Sequence, residues 1–96
     1  MLAIAGCATI DYSRQPPADW PPLVTTILYK DFGEIQAACG GNLLYQYFGC
    51  ITVIDFCKRT CDGVAIAQWA KEHEEQHCRG FDHPGDTYFR DMWESF

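Results

Sequence analysis

The chain has 96 residues, a formal net charge of −6 and six cysteines. A domain of this size buries a limited share of its surface, so disulfides or a bound metal are expected to stabilise it. The cysteine content indicates an oxidising compartment. The acidic charge and the scattered basic residues argue against a nucleic-acid-binding surface, and no apolar run is long enough to span a bilayer.

The N-terminal part, residues 1–22, is expected to differ in role from the domain that follows, residues 23–96. Its segment Ile4-Ala5-Gly6-Cys7 resembles the lipobox of bacterial lipoproteins, which implies lipid attachment at Cys7. The alternative is a short apolar arm that packs on the domain or forms an edge strand. Residues 11–22 hold four of the five prolines and predict an extended tether, or a loop wrapped on the core through Trp20.

Apolar runs rich in β-branched and aromatic residues predict strands at 23–29, 43–48 and 51–56, the last two as a hairpin or as adjacent strands. Residues 34–39 fit either one helical turn or a short extended piece. Asp62-Gly63 is expected to separate the strands from a long helix over 64–78.

That helix places Ile66, Trp69, Ala70, His73 and His77 along one inward face. A closing helix over 86–96 is predicted, with Asp86 as its cap and with Tyr88, Met92 and Trp93 facing in. The expected fold is therefore α+β. It has a small antiparallel sheet from residues 23–57 packed on the long helix, a short C-terminal helix and stapling disulfides.

All three histidines fall in one pattern, His73-Glu74-x-x-His77-x-x-Gly80-x-x-His83. Residues four apart share a helix face, so the imidazoles of His73 and His77 can converge on one ion. Gly80 can end the helix in a left-handed conformation and let the chain return with His83. Three histidines predict a Zn²⁺ site with one position left for water, and Glu74 is placed to act as general base.

The pattern resembles the zinc-binding motif of metzincin-type metallopeptidases, His-Glu-x-x-His-x-x-Gly-x-x-His, at every specified position. The resemblance implies zinc at His73, His77 and His83 and a general base at Glu74. It also implies a methionine below the metal, for which Met92 is the only candidate after the motif, although it lies closer to His83 than in most of that family.

Two further resemblances involve the same residues. Gly80-Phe81-Asp82-His83 is similar to the ending of the His-x-x-x-His-x-x-x-x-x-His motif in endoribonucleases of ribosomal RNA maturation, but Glu74, the acidic charge and the cysteines depart from that family. The motif, with Cys78 after His77, also looks like that of small bacterial envelope lipoproteins with a His-Glu-x-x-His-Cys-x-Gly-x-Asp-His ending.

Other side chains near the motif have open roles. Asp82 or Cys78 could close the metal site as a fourth ligand, although Asp82 is better suited to bonding the backbone of the turn or a histidine. Tyr88 and Arg90 are candidates for stabilising an oxyanion, against the simpler interpretation of a core tyrosine and a surface arginine.

The preferred disulfides are Cys39–Cys50 and Cys61–Cys78, the second of which requires Cys61 to lie in a segment running back alongside the helix. Cys57 is then a free, buried thiol. A Cys57-x-x-x-Cys61 metal site is the weaker competitor.

These observations favour a zinc-dependent hydrolase acting on a peptide or amide bond, with a peptide or peptidoglycan-type substrate, in the bacterial periplasm or outer envelope. The alternative is a non-catalytic, zinc-stabilised lipoprotein module that binds an envelope protein. A metal-dependent endoribonuclease is the third hypothesis. No nucleic-acid partner is expected from the charge, and the membrane is reached only through the anchor at Cys7.

Overall fold

The computed structural model describes residues 9–40 and 46–96. In chain order these residues form strand β1 (Val24–Tyr29), helix α1 (Phe32–Cys39), strand β2 (Gly49–Asp55), strand β3 (Thr60–Ala65), helix α2 (Gln68–Cys78) and helix α3 (Tyr88–Glu94). The α+β class is confirmed. None of the helices in this part of the chain is long and apolar enough to cross a bilayer.

The three strands form one sheet in the order β1-β3-β2. Strand β2 pairs with β3 in antiparallel register, whereas β1 pairs with β3 in parallel from Val24↔Thr60 to Tyr29↔Ala65. The sheet is therefore mixed rather than wholly antiparallel. A parallel pair needs a crossover connection, and here that connection carries α1 and β2.

Strand β3 is the element that the sequence did not predict. Asp62-Gly63, read as a break, lies inside this central strand. A Cβ on Gly63 would come within 2.5 Å of the Cys50 carbonyl oxygen, so glycine allows close strand pairing here rather than a turn. Because residues 64 and 65 belong to β3, the long helix begins at Gln68 and not at residue 64.

Helix α1 resolves the two interpretations of residues 34–39 in favour of a helix. Asp31 is its N-cap: its carboxylate accepts from the Glu34 amide, and the Glu34 side chain accepts from the Asp31 amide. This capping box satisfies two amides that the first turn leaves without partners. The helix ends at Gly40, which has a left-handed φ of 71°.

The hairpin partner of β2 is β3. Residues 46–48 are not in a strand, and the rest of the strand predicted at 43–48 lies in 41–45, outside the described residues. Cys7 and the lipobox-like segment also lie outside them, so lipid attachment stays a prediction.

The core lies between helix α2 and the sheet. Its buried centre contains Ile27, Cys61, Ala65, Ala70 and Cys78. Trp69 does not join it as expected, because α2 presents this ring outward with 54% of its surface exposed, against Phe48 at 5.4 Å.

Both expected disulfides are present, Cys39–Cys50 and Cys61–Cys78. The second joins the central strand to the end of α2, because β3 runs alongside the helix as that pairing requires. The thiol of Cys57 is free but exposed, not buried as expected, since it lies in the turn between β2 and β3. Pairing of Cys61 in a disulfide excludes the Cys57/Cys61 metal site.

The proline-rich segment packs on the domain. The Trp20 indole N–H donates to the Cys78 carbonyl oxygen at 3.0 Å, and its ring meets Phe56 and Trp93 edge-on. This is the wrapping through Trp20 that the sequence allowed.

Candidate metal centre

The helical part of the site consists of His73 and His77, one turn apart on α2. Their Nε2 atoms lie 3.1 Å from each other. The His77 side chain is buried, and the His73 side chain is half-buried. The spacing of four residues thus brings the two imidazoles together as the sequence predicted.

The chain returns to these imidazoles through a sharp helix ending. The Gly80 amide donates to the His77 carbonyl at 2.9 Å, and the Phe81 amide donates to the Gln76 carbonyl at 3.1 Å. With a φ of 96° at Gly80, these two bonds form a Schellman motif. The turn places His83 beside the two histidines of the helix.

The three Nε2 atoms form a nearly equilateral triangle. The His73–His83 distance is 2.9 Å and the His77–His83 distance is 3.1 Å. A tetrahedral zinc ion about 2.0–2.1 Å from each nitrogen would hold its ligands about 3.3 Å apart. The triangle therefore fits a small ion with an adjustment of a few tenths of an ångström, and the three residues form a possible metal-binding group.

The tautomer of His77 is fixed by the backbone. Its Nδ1 lies 2.8 Å from the Phe81 carbonyl oxygen, which can only accept, so Nδ1 carries the proton. Nε2 then has a free lone pair directed at the other two histidines, as a metal ligand requires. The Phe89 ring stacks on the same imidazole, with centroids 4.7 Å apart and planes 23° apart.

Burial lowers the pKa of His73 and of His77 to about 4 each, with the neighbouring imidazoles as further causes. In His77, the hydrogen bond to the Phe81 carbonyl partly opposes this shift. Because a buried imidazolium would lose its hydration, the neutral ring is favoured. Both side chains are therefore in the ligand form at neutral pH.

The two residues considered as a fourth ligand are bonded elsewhere. Cys78 is in the disulfide with Cys61. The Asp82 carboxylate accepts from the Phe89 amide at 2.8 Å and from the Arg90 amide at 3.3 Å. Asp82 thus caps the first turn of α3. Because Phe89 in that turn packs against His77, Asp82 supports the site through α3.

Glu74 lies between the helix and the sheet. Only 6% of its surface is exposed, and its Cγ would be 3.4 Å from a Cβ on Gly49, at the start of β2. Burial raises the pKa of its carboxyl to about 7. It follows His73 directly in the sequence, and it is not a member of the three-residue metal group.

The remaining candidates lie around α3. Tyr88 is 59% exposed rather than facing in, and its ring meets Phe89 edge-on. Met92 lines a shallow cavity of about 280 Å³ against strand β2. The Arg90 guanidinium donates to the Gln15 carbonyl oxygen, which ties α3 to the N-terminal segment.

Three contributors to the site were missed from the sequence. The Phe81 carbonyl is a backbone group without a side-chain signature. Phe89, and not Tyr88, is the buried residue in the first turn of α3. The apolar side chain of Phe89 next to Tyr88 was the signal in the sequence. Trp20 was identified as a core contact, but the spacing gives no sign that it reaches the end of α2.

A cleft of about 570 Å³ opens beside the metal group. Its walls are the start of the described chain and the outer side of α2, and His73 is among the lining residues, which are Thr9, Ile10, Tyr12, Glu72, His73, Glu75 and Gln76. Comparison with family models, curated proteins and solved structures gave no match. The function is therefore inferred from the geometry of the site.

Proposed function

We propose that the protein is a zinc-dependent hydrolase that acts on a peptide or amide bond in the bacterial envelope. One observation carries the proposal: three Nε2 atoms converge within 3.1 Å of one another, while Asp82 and Cys78 are bonded elsewhere. Three protein ligands with a fourth position left over are typical of catalytic rather than structural zinc sites. The cleft beside His73 supports access from solvent.

Zinc held by His73, His77 and His83 would supply Lewis-acid activation of water and of a carbonyl group near neutral pH. The chain's own contribution is Glu74. As general base it would take a proton from the attacking water and pass it to the leaving nitrogen. Glu74 lies on the ligand helix α2, and burial raises the pKa of its carboxyl to about 7, which suits a general base that works near neutral pH.

Two features support the location and the substrate class. The two disulfides favour an oxidising compartment such as the periplasm, and lipid attachment at Cys7 would hold the domain at the envelope. The net charge of −6 disfavours nucleic acid. We therefore propose a peptide or a peptidoglycan-type substrate.

A second candidate is a zinc-stabilised module that binds an envelope protein without catalysis. The observation in its favour is the burial of Glu74, whose side chain packs towards Gly49 of the sheet. If the carboxyl stays there when metal and substrate are bound, the three histidines serve only to hold the small fold together.

The experiment that separates the two is a glutamate-to-glutamine comparison. In Glu74→Gln, we expect about one zinc per chain by elemental analysis and a loss of peptide or peptidoglycan hydrolysis of at least a hundredfold, since general-base catalysis contributes about 10²–10⁴. Glu94→Gln removes the same charge from the exposed end of α3 and is the matched control, with unchanged activity.

Three results would count against hydrolysis. Stoichiometric zinc with no hydrolysis of any peptide or peptidoglycan substrate would contradict the proposal. Unfolding by chelator combined with indifference to Glu74→Gln would establish the binding module. Metal-dependent cleavage of RNA by the pure protein would support the endoribonuclease hypothesis instead.

A further inference from the structure

A short N-terminal strap, residues 11–20, lies across the loop that carries the third histidine. Residues 78–86, from the last residue of α2 onwards, are called the ligand loop, and three of its carbonyl groups accept hydrogen bonds from the strap. The Cys78 oxygen accepts from the Trp20 indole at 3.0 Å. The Asp82 oxygen accepts from the Asp11 amide at 3.0 Å, and the Asp86 oxygen accepts from Arg14 at 2.9 Å. The strap therefore holds the loop at both ends and at its middle.

The fit between strap and loop is close at Gly80. A Cβ there would lie 2.6 Å from the Pro16 Cβ and 2.9 Å from the Trp20 ring. Real Cβ atoms do not approach other carbons so closely, so the strap can reach the loop only because this residue is glycine. The helix ending and the strap thus depend on the same residue.

Two contacts of the strap lie next to a group that binds the metal or orients one of its ligands. The Asp11 amide bonds the carbonyl of the residue immediately before His83. Tyr12 packs edge-on against the Phe81 ring at 5.3 Å, and the Phe81 carbonyl is the group that orients His77. The strap therefore contacts Phe81 and Asp82, the two residues that precede His83 in the loop.

We propose that residues 11–20 are a positioning segment of the metal centre and set its affinity for zinc. Two ligands lie on a helix, whereas the third lies on a loop whose freedom must be lost when an ion binds. The strap removes that freedom before binding and so raises the affinity. The inference rests on metal binding by the three histidines, which the proposed hydrolase also needs, and not on hydrolysis.

The test compares the same substitution, tryptophan to phenylalanine, at two positions of the full chain. Trp20→Phe keeps an aromatic ring but removes the N–H that bonds the Cys78 carbonyl. Trp93→Phe removes an indole N–H that also bonds the strap, at Asp19, but joins it to α3 and not to the ligand loop. Zinc affinity is measured by competition with a chromophoric chelator, and site geometry by the visible spectrum of the cobalt(II) form.

We expect Trp20→Phe to weaken zinc binding about tenfold, as loss of a group that orients ligands does in other zinc sites. Its cobalt(II) spectrum should change as well. Trp93→Phe should stay within about twofold of the original chain and keep its spectrum, since a contact outside the ligand loop does not orient a ligand. The increase in melting temperature on adding zinc should be smaller in Trp20→Phe than in Trp93→Phe.

Equal zinc affinity in the two variants would overturn the proposal. So would a Trp20→Phe protein that loses the same stability with and without zinc, because that result shows a structural contact only. If Trp20→Phe does not fold, Arg14→Gln decides, with a loss of zinc affinity of about threefold expected for a more exposed bond. Failure of the original chain to bind zinc would instead refute the metal centre itself.

Discussion

The two ends of helix α2 are held in very different ways. At its C-terminal end, Cys78 is in a disulfide, Gly80 closes a Schellman motif and Trp20 bonds the last carbonyl. At its N-terminal end, the cap residue is Ala67, which has no side-chain acceptor, and Trp69 is largely exposed. The disulfide, the helix ending and the Trp20 bond thus restrain the end of α2 that leads to His83, where the third ligand must be placed precisely.

The largest expected effect comes from the disulfide at the rigid end. Replacing Cys61 and Cys78 together by alanine should lower the free energy of unfolding by about 3 kcal/mol through loop closure, and by more because both side chains are buried. Zinc affinity should fall too. Chemical denaturation and zinc competition measure the two effects.

The matched control removes the other disulfide, Cys39–Cys50, whose cysteines are more exposed. It should destabilise the fold by about 2–3 kcal/mol and leave zinc affinity unchanged, since it ties α1 to β2. Equal losses of zinc affinity in both double variants would contradict the contrast between the two ends of α2.

The next effect is at the helix ending. Gly80→Ala should cost about 1–2 kcal/mol for the left-handed conformation and about 1–3 kcal/mol more for the clash with Pro16 and Trp20. Gly85→Ala is the control, because Gly85 has a φ of 78° but no atom within 4 Å of an added Cβ. It should lose only the first part in urea unfolding. Equal losses of unfolding free energy in the two variants would show that a Cβ at residue 80 does not clash with the strap.

The pH dependence of the metal-free protein is a smaller effect, because two contributions oppose each other. His73 and His77 have folded pKa values of about 4 against 6.5 in the unfolded chain, so stability is lost as pH falls from 6.5 towards 4. Glu74 has a folded pKa of about 7 against 4.5, so its contribution is lost as pH rises through that range. The histidines outnumber the glutamate, and net stability should fall on acidification.

Urea unfolding of metal-free protein between pH 4 and 7 measures this balance. In Glu74→Gln, the opposing contribution is removed, so the loss of stability on acidification should be steeper than in the original chain. A shallower loss would contradict the raised pKa of the buried Glu74 carboxyl.

The smallest expected change in stability is at the N-terminal end of α2, where the cap residue Ala67 has no side-chain acceptor. Ala67→Ser would supply an acceptor for the amides of the first turn, and should raise the free energy of unfolding by about 1 kcal/mol. Ala37→Ser, at an exposed position inside α1, is the control and should lower it by about half a kcal/mol. Thermal unfolding measures the stability of both variants. A destabilised Ala67→Ser protein would show that the missing cap does not limit the stability of this end of α2.

Much of the site could be predicted because its parts are local. The spacing of His73 and His77 follows from the helical repeat, and Gly80 ends the helix where a left-handed residue was expected. The disulfide Cys61–Cys78 was also predicted, together with the antiparallel path that it needs. These features depend on residues close in sequence or on the limited choice of cysteine partners.

The features that were missed depend on distant contacts. Asp62-Gly63 is a dipeptide typical of turns, but at Gly63 the neighbouring strand approaches so closely that only glycine fits. The parallel pairing of β1 depends on how the chain crosses from one edge of the sheet to the other. Trp20 reaches the end of α2 across 58 residues, and no local pattern indicates that contact.

X-ray absorption at the zinc edge of the purified protein tests the metal centre most directly. We expect about one zinc per chain, with three imidazole nitrogens and one further light atom at about 2.0–2.1 Å. Separate replacement of His73, His77 or His83 by alanine should remove the metal. A zinc-free protein, or a spectrum dominated by sulfur at about 2.3 Å, would contradict the account.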